Sequence, residues 1–180
     1  MRELALHILD IVQNSIAAEA EVVEVTIKEL PAKNSLTITI EDDGSGMTKE
    51  ESKKAVDPFV TSRDTRTVGL GLPLLKRAAK ECGGDFKLDS KPGLGTTVEA
   101  SFELDHIDRA PLGDMVSTLI TILNSNPDLD FIYYHQVGEE SFVFNTREIK
   151  EELEGVEINN RRILNWIKEY LEENLAELRR

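Results

Sequence analysis

Cysteine occurs once in the 180 residues, at Cys82, so the chain has no internal disulfide framework. No run of about 18 apolar residues is present, which argues against a helix across a bilayer, and no membrane partner is expected. Positive charge is scarce: 21 Lys and Arg stand against 34 Asp and Glu, a formal net charge of -13. Such a chain has no basic face with which to neutralise a phosphate backbone, so nucleic acid is not expected as a general partner. The opening stretch MRELALHILDIVQN carries Asp10 and Asn14 inside its apolar run and lacks a small-residue cleavage site, unlike a signal peptide, and a cytoplasmic setting is expected. Internal repeats and low-complexity tracts are absent. What is there, 40% hydrophobic and 31% charged residues, suits a compact fold with a real core.

The periodicities alternate in kind along the chain. Leu4, Ile8, Ile11, Val12 and Ser15 recur at helical spacing, which predicts a mostly buried helix from about Glu3 to Ala20. Val23, Val25 and Ile27, then Leu36, Ile38 and Ile40, alternate with polar residues around a Pro31 to Ser35 turn, which predicts a hairpin. A short helix over Lys49 to Val56 ends before Pro58, and Phe59 to Gly71 has no period and reads as a loop. A helix beginning around Pro73 ends at Gly83-Gly84, and strands around Pro92-Gly93 come next. Helices over one face of a mixed or antiparallel sheet make this an α+β, two-layer α/β sandwich. Residues 105–111, without period, are expected to be a linker between a domain at 1–104 and a small α+β region at 112–180. The first carries 13 basic and 18 acidic residues (net -5), and residues 105–180 carry 8 and 16 (net -8). In the second, helices over Leu112 to Leu123 and Arg161 to Leu178 flank a hairpin at Asp130 to Asn145; their apolar stripes suit core, a homodimer interface or a docking face.

Three places concentrate chemistry. Asp10 and Asn14 stand four apart on one helix face with His7 in the same column, which fits either a solvated face or a polar site. In EDDGSGM, residues 41–47, Asp42 shares the parity of Leu36, Ile38 and Ile40 and must point to the apolar face, where a carboxylate needs a donor. Thr96 shares the parity of Val98, Ala100 and Phe102, and either looks inward too or caps its own turn. Gly69 and Gly71 lie just ahead of a helix start, with Arg63, Arg66, Lys76 and Arg77 nearby, which is the composition of an anion site and also of an ordinary helix-entry turn. The stretch is not a P-loop, and Leu74 stands where a dinucleotide fingerprint needs its third glycine.

Taken in order, these segments resemble the ATP-binding domain shared by gyrase, the heat-shock chaperones, sensor histidine kinases and mismatch-repair ATPases, whose core is the Bergerat fold. LDIVQNSIAA (9–18) resembles the asparagine box, EDDGSGM the adenine box, DPFVTSR (57–63) the phenylalanine box, and VGLGL (68–72) with GLGTT (93–97) the remaining glycine boxes. The resemblance covers about residues 4–104.

It implies that Asn14 coordinates Mg²⁺, that Asp42 accepts from the adenine amino group, and that Thr96 supports the base through a water. By the same resemblance Gly44, Gly46 and Met47 follow the base, and Phe59, Arg63, Arg66, Gly69, Leu70, Gly71, Leu72 and Lys76 surround the phosphates. Asp10 stands where hydrolysing members carry a glutamate base, so slow hydrolysis is expected, and Thr67 stands where many kinases have a further lid glycine. The pattern begins within ten residues of the N-terminus, leaving no room for a phosphoacceptor helix, and His7 is either a partner that orients Asp10 or plain packing. The expected function is a stand-alone Mg-ATP-binding kinase-type module, of the histidine or serine kinase kind, acting on a partner protein. The alternatives are an ATP-driven switch or slow ATPase that controls a partner without phosphate transfer, and a scaffold that binds no nucleotide.

Overall fold

The computed structural model describes residues 3–57 and 70–178. In chain order these form α1 (Leu4–Ala17), β1 (Val22–Leu30), β2 (Ser35–Asp42), α2 (Lys49–Ala55), α3 (Gly71–Glu81), β3 (Phe86–Lys91), β4 (Gly95–Glu103), α4 (Met115–Ser125), β5 (Asp130–Val137), β6 (Glu140–Asn145), α5 (Thr146–Glu152) and α6 (Arg161–Glu177). The strands make one six-stranded sheet in the order β3-β4-β2-β1-β5-β6. Every neighbouring pair is antiparallel except β1 and β5, which run parallel, so the sheet is mixed.

Alternation decides which face is covered. Val25 lies opposite Ile40 on one side and Tyr133 on the other, and Ile40 lies opposite Val98, so all four point to the same face, and all four are buried. Their neighbours in sequence, such as Thr26, Thr39 and Tyr134, fall on the other face and stay half-buried. Onto the apolar face pack Leu4, Ile8, Ile11 and Val12 of α1, Leu75 and Ala79 of α3, Leu119, Ile122 and Leu123 of α4, and Ile167 and Leu171 of α6. Each of these but Ala79 contributes about 1.5–3 kcal/mol relative to an exposed side chain. The result is the two-layer α+β sandwich that the element order implies.

Local chemistry sets the ends. At α2, Thr48 Oγ1 accepts from the Glu51 amide at 3.2 Å and Glu51 Oε2 accepts from the Thr48 amide at 2.7 Å, a reciprocal cap. The first turn of α1 has no side-chain cap. Its orphan amides on Leu4 and Ala5 donate instead to the carbonyls of Pro111 and Leu112, at 3.0 and 2.8 Å.

That contact bears on the boundary expected at 105–111. The segment contains only turns and irregular chain. The chain beyond it does not stand apart, because β5 pairs along the open edge of β1, with Val23, Val25 and Ile27 in register with Phe131, Tyr133 and His135. A buried polar chain ties the same two strands: His135 Nε2 lies 2.8 Å from Glu29 Oε1, and its Nδ1 lies 2.9 Å from Tyr133 Oη. The sheet and core therefore run across the expected boundary, and α4 packs against both α1 and α6.

Candidate functional site

At one end of the covered face the apolar rows give way to a polar one. Ile40, Val98 and Leu88 form the last apolar row across β2, β4 and β3. Two residues further along, Asp42 lies opposite Thr96, and Thr96 opposite Ser90. The parity that keeps Ile40 and Val98 inside thus brings a carboxylate and two hydroxyls side by side at the sheet end.

Each member is fixed. Asp42 Oδ2 accepts from Ser15 Oγ of α1 at 2.6 Å, and Oδ1 accepts from the Gly44 amide at 3.0 Å. Ser15 has one proton, and the 2.6 Å bond takes it in preference to the Ile11 carbonyl at 3.3 Å. Ser90 Oγ accepts from the Met47 amide at 2.8 Å, lies 3.1 Å from the Gly95 carbonyl and shares a hydrogen bond of 2.8 Å with Thr96 Oγ1. A cleft of about 210 Å³ opens here, lined by Asp42, Ser90, Lys91, Leu94, Gly95 and Thr96 among others.

The three acids of EDDGSGM separate cleanly. Asp43 Oδ1 accepts from the amides of Glu21 and Val22, at 2.8 and 2.9 Å, and so anchors the start of β1. Glu41 is exposed on the opposite face. Gly46 has φ +66, and a Cβ there would fall 2.0 Å from the Lys91 carbonyl. The close approach that requires glycine is made by the protein's own β3 backbone.

Asp10 and Asn14 of α1 are both half-buried, one turn apart. Among the described residues the Asn14 side chain has no hydrogen-bond partner. The start of α3 packs on this helix: a Cβ at Gly71 would lie 3.0 Å from Asp10 Cβ. Burial raises the Asp10 carboxyl above its ordinary pKa. Leu70 is exposed, Leu72 buried and Lys76 half-buried on the first two turns of α3, whose N-terminus has no side-chain cap. Phe59, Arg63, Arg66 and Gly69 lie outside the described residues.

His7 is buried and its Nδ1 has no hydrogen-bond partner, which makes it a packed imidazole and not one that orients Asp10 through that nitrogen. Desolvation lowers its pKa to about 4. Among the described residues no group of three or more His, Cys, Asp and Glu is arranged to hold a metal ion.

Sequence reasoning missed two members of the row. Ser15 sits in the apolar stripe of α1, and a hydroxyl in such a stripe is itself a signal that something polar waits opposite. Ser90 shares the parity of Phe86 and Leu88, the argument that finds Thr96.

Comparison with known proteins gives the chain its relatives. The family model described as histidine kinase-, DNA gyrase B-, and HSP90-like ATPase matches residues 2–106. Sporulation kinase C of Bacillus subtilis is 32% identical over 96 residues, which are 53% of this chain and 22% of that protein. The cell-division control histidine kinase PdhS of Brucella anthropi is 32% identical over 115 residues, covering 57% of this chain and 11% of the relative. The chain thus spans about a fifth or less of the length of these relatives. Among solved structures, the Aquifex aeolicus MutL ATPase domain complexed with ADP superposes with a TM-score of 0.52 at 17% identity, over 86% of this chain and 68% of that one. The N-terminal domain of a DNA repair protein gives 0.53 at 17%, over 79% and 52%. At such identity these two likenesses speak to the fold alone.

Proposed function

The chain belongs to the histidine kinase-, DNA gyrase B-, and HSP90-like ATPase family, and from that premise we propose that it binds Mg-ATP at the Asp42 end of the sheet and passes the γ-phosphoryl group to a partner protein. The observation that carries the reading is the polar row itself. A carboxylate held by Ser15 and the Gly44 amide, with Thr96 and Ser90 beside it, is an acceptor built in advance for a donating edge such as the adenine amino group.

The phosphates then run toward α3. Its N-terminus, which has no side-chain cap, offers the Gly71 and Leu72 amides and the positive end of the helix dipole, and Lys76 adds a cation without a carboxylate partner among the described residues. Asn14 fits Mg²⁺ in kind: its amide is unpartnered and half-buried, and magnesium is commonly held by few protein oxygens together with nucleotide phosphates. Bound there, the ion would neutralise charge on the phosphates. Asp10, one turn earlier, takes the proton of the attacking hydroxyl or imidazole as the bond from phosphorus to the leaving ADP oxygen breaks. Its raised pKa makes it a better proton acceptor than an exposed aspartate.

A second reading rests on the shortness of that same side chain. An aspartate reaches less far than a glutamate, and about 1 Å of misplacement can cost on the order of a hundredfold in rate. With a slow base, ATP acts as a conformational ligand and the partner is bound but not phosphorylated. Incubation with γ-labelled ATP and cell extract separates the two: a labelled partner supports transfer, and ATP-dependent complex formation without label supports the switch.

Binding is tested first by calorimetry with Mg-ATP on the wild type and on Asp42→Asn. The wild type is expected to bind and the variant to lose binding, because an amide that turns a donor toward the adenine amino group leaves a mismatch of about 1–3 kcal/mol or more. Equal binding by both would remove Asp42 from the base site, and no binding by the wild type would leave a scaffold.

A further inference from the structure

Away from the Asp42 cleft, α5 and α6 enclose an open groove of about 330 Å³ whose floor is Ile149, Leu153, Ile163 and Trp166. Trp166 is 53% exposed, yet its ring is not loose: it stacks on Tyr170 with centroids 5.5 Å apart and planes 13° from parallel. Tyr170 in turn leans on Phe142 of β6 at 5.8 Å. A large apolar surface held in place before any partner arrives has already lost much of the side-chain freedom that binding would otherwise remove.

The groove surface is apolar, and the charged residues that border it are of one sign. Glu148 and Glu152, four apart on α5, line it alongside Ile149 and Leu153, while neither Arg161 nor Arg162 at the start of α6 does. From Glu140 to Leu178 the sequence holds ten acidic and five basic residues. Three of those five cations are already engaged: Arg147 and Lys150 with Asp130, and Lys168 with Glu172. The rim therefore keeps its negative surplus.

We propose that this groove is the docking site for an amphipathic helical segment of a partner protein, one that carries bulky apolar side chains on one face flanked by lysine or arginine. Charge complementarity selects that occupant. A second copy of the chain would bring the same acidic rim against itself in a two-fold contact, which opposes association. Helix-in-groove recognition needs apolar anchors at i, i+3 or i+4 and i+7, and the four floor residues offer a continuous strip for them. This inference goes beyond nucleotide binding and does not depend on it, since none of the groove residues belongs to the polar row.

Trp166 is the sole tryptophan of the sequence, so its emission reports on the groove directly. The full chain is titrated with a leucine-lysine peptide of about 15 residues, long enough to hold some helix. Parallel titrations use the same peptide with glutamate for lysine, and with serine for leucine. The lysine peptide is expected to shift Trp166 emission to the blue and to saturate, and the other two to leave it unchanged. Glu148→Lys with Glu152→Lys should weaken binding about three- to tenfold, with Glu152→Gln as a milder second variant and far-UV dichroism as the check on folding.

The proposal is overturned if the lysine peptide gives no shift at about 1 mM, the weak end of measurable affinity. It is equally overturned if the glutamate or serine peptide binds as well, or if neither glutamate variant weakens binding. Concentration-dependent emission from the protein alone, with sedimentation as a dimer, would assign the groove to a second copy and also overturn it.

Discussion

Replacing Ser15 by alanine isolates the contact that holds the Asp42 carboxylate. The hydroxyl is buried, 2% exposed, and its 2.6 Å bond to an ionisable acceptor belongs to the stronger class, about 1.5–3 kcal/mol. Alanine is the better helix former by about 0.5 kcal/mol, which offsets part of the loss. A net destabilisation of about 1–2.5 kcal/mol is therefore expected, read as a lower midpoint in urea with an unchanged slope. The same substitution frees Asp42 to rotate away from the cleft, held then only by the Gly44 amide, so Mg-ATP affinity measured by calorimetry should fall about tenfold, near 1.4 kcal/mol. A cycle with Asp42→Ala assigns the effect: once the carboxylate is gone, Ser15→Ala should cost clearly less. Additive costs, or a single-mutant loss below about 0.5 kcal/mol, would refute the bond as a determinant of either stability or the site.

The same geometry implies three further outcomes. His7, with a folded pKa of about 4 against 6.5 free, stays neutral in the fold while the unfolded chain takes up a proton. Its contribution is thus complete above about pH 6.5, falls as pH drops toward 4, and totals about 3 kcal/mol; His7→Leu should flatten the stability curve across that window, and parallel curves for the two proteins would contradict it. Gly71→Ala places a Cβ 3.0 Å from Asp10 Cβ, so the α1–α3 contact must give by a few tenths of an ångström; weakened Mg-ATP binding is expected, and an unchanged affinity would show that the α1–α3 contact does not set the phosphate site. Asp42→Asn is expected to abolish nucleotide binding while leaving a folded protein, as dichroism and calorimetry together would show.

Much of the site was legible because strand parity is a hard constraint. Ile40 and Asp42 are two apart on one strand, and no packing arrangement puts one inside and the other outside without a bulge. The same rule carries Thr96, and equally Ser90. The partner of Asp42 was not legible in the same way. Ser15 precedes it by 27 positions on a different kind of element, and helical periodicity says which side of α1 is covered without saying which strand end it covers. The anion-binding half of the pattern fares differently again, since Phe59, Arg63, Arg66 and Gly69 lie outside the described residues and stand on the motif alone.

The edge taken by β5 was beyond reach for a more general reason. An antiparallel hairpin such as β1–β2 is fixed by a short turn, whereas a parallel neighbour can be chosen only after the whole crossover has folded.

That choice binds the two halves of the chain into one object. β1 has Val23, Val25 and Ile27 on its covered face, and without β5 its outer edge would present unpaired backbone next to that apolar surface, the arrangement natural sheets avoid. The polar row draws on α1, β2, β3 and β4, all before residue 104. Yet the first turn of α1, the helix that carries Asp10, Asn14 and Ser15, is capped by carbonyls at Pro111 and Leu112. The register of that helix over the sheet end decides whether Ser15 meets Asp42 at all. Pro111 and Leu112 are therefore part of what holds the site in place, and α5 and α6 pack against β5 and β6 of the same sheet.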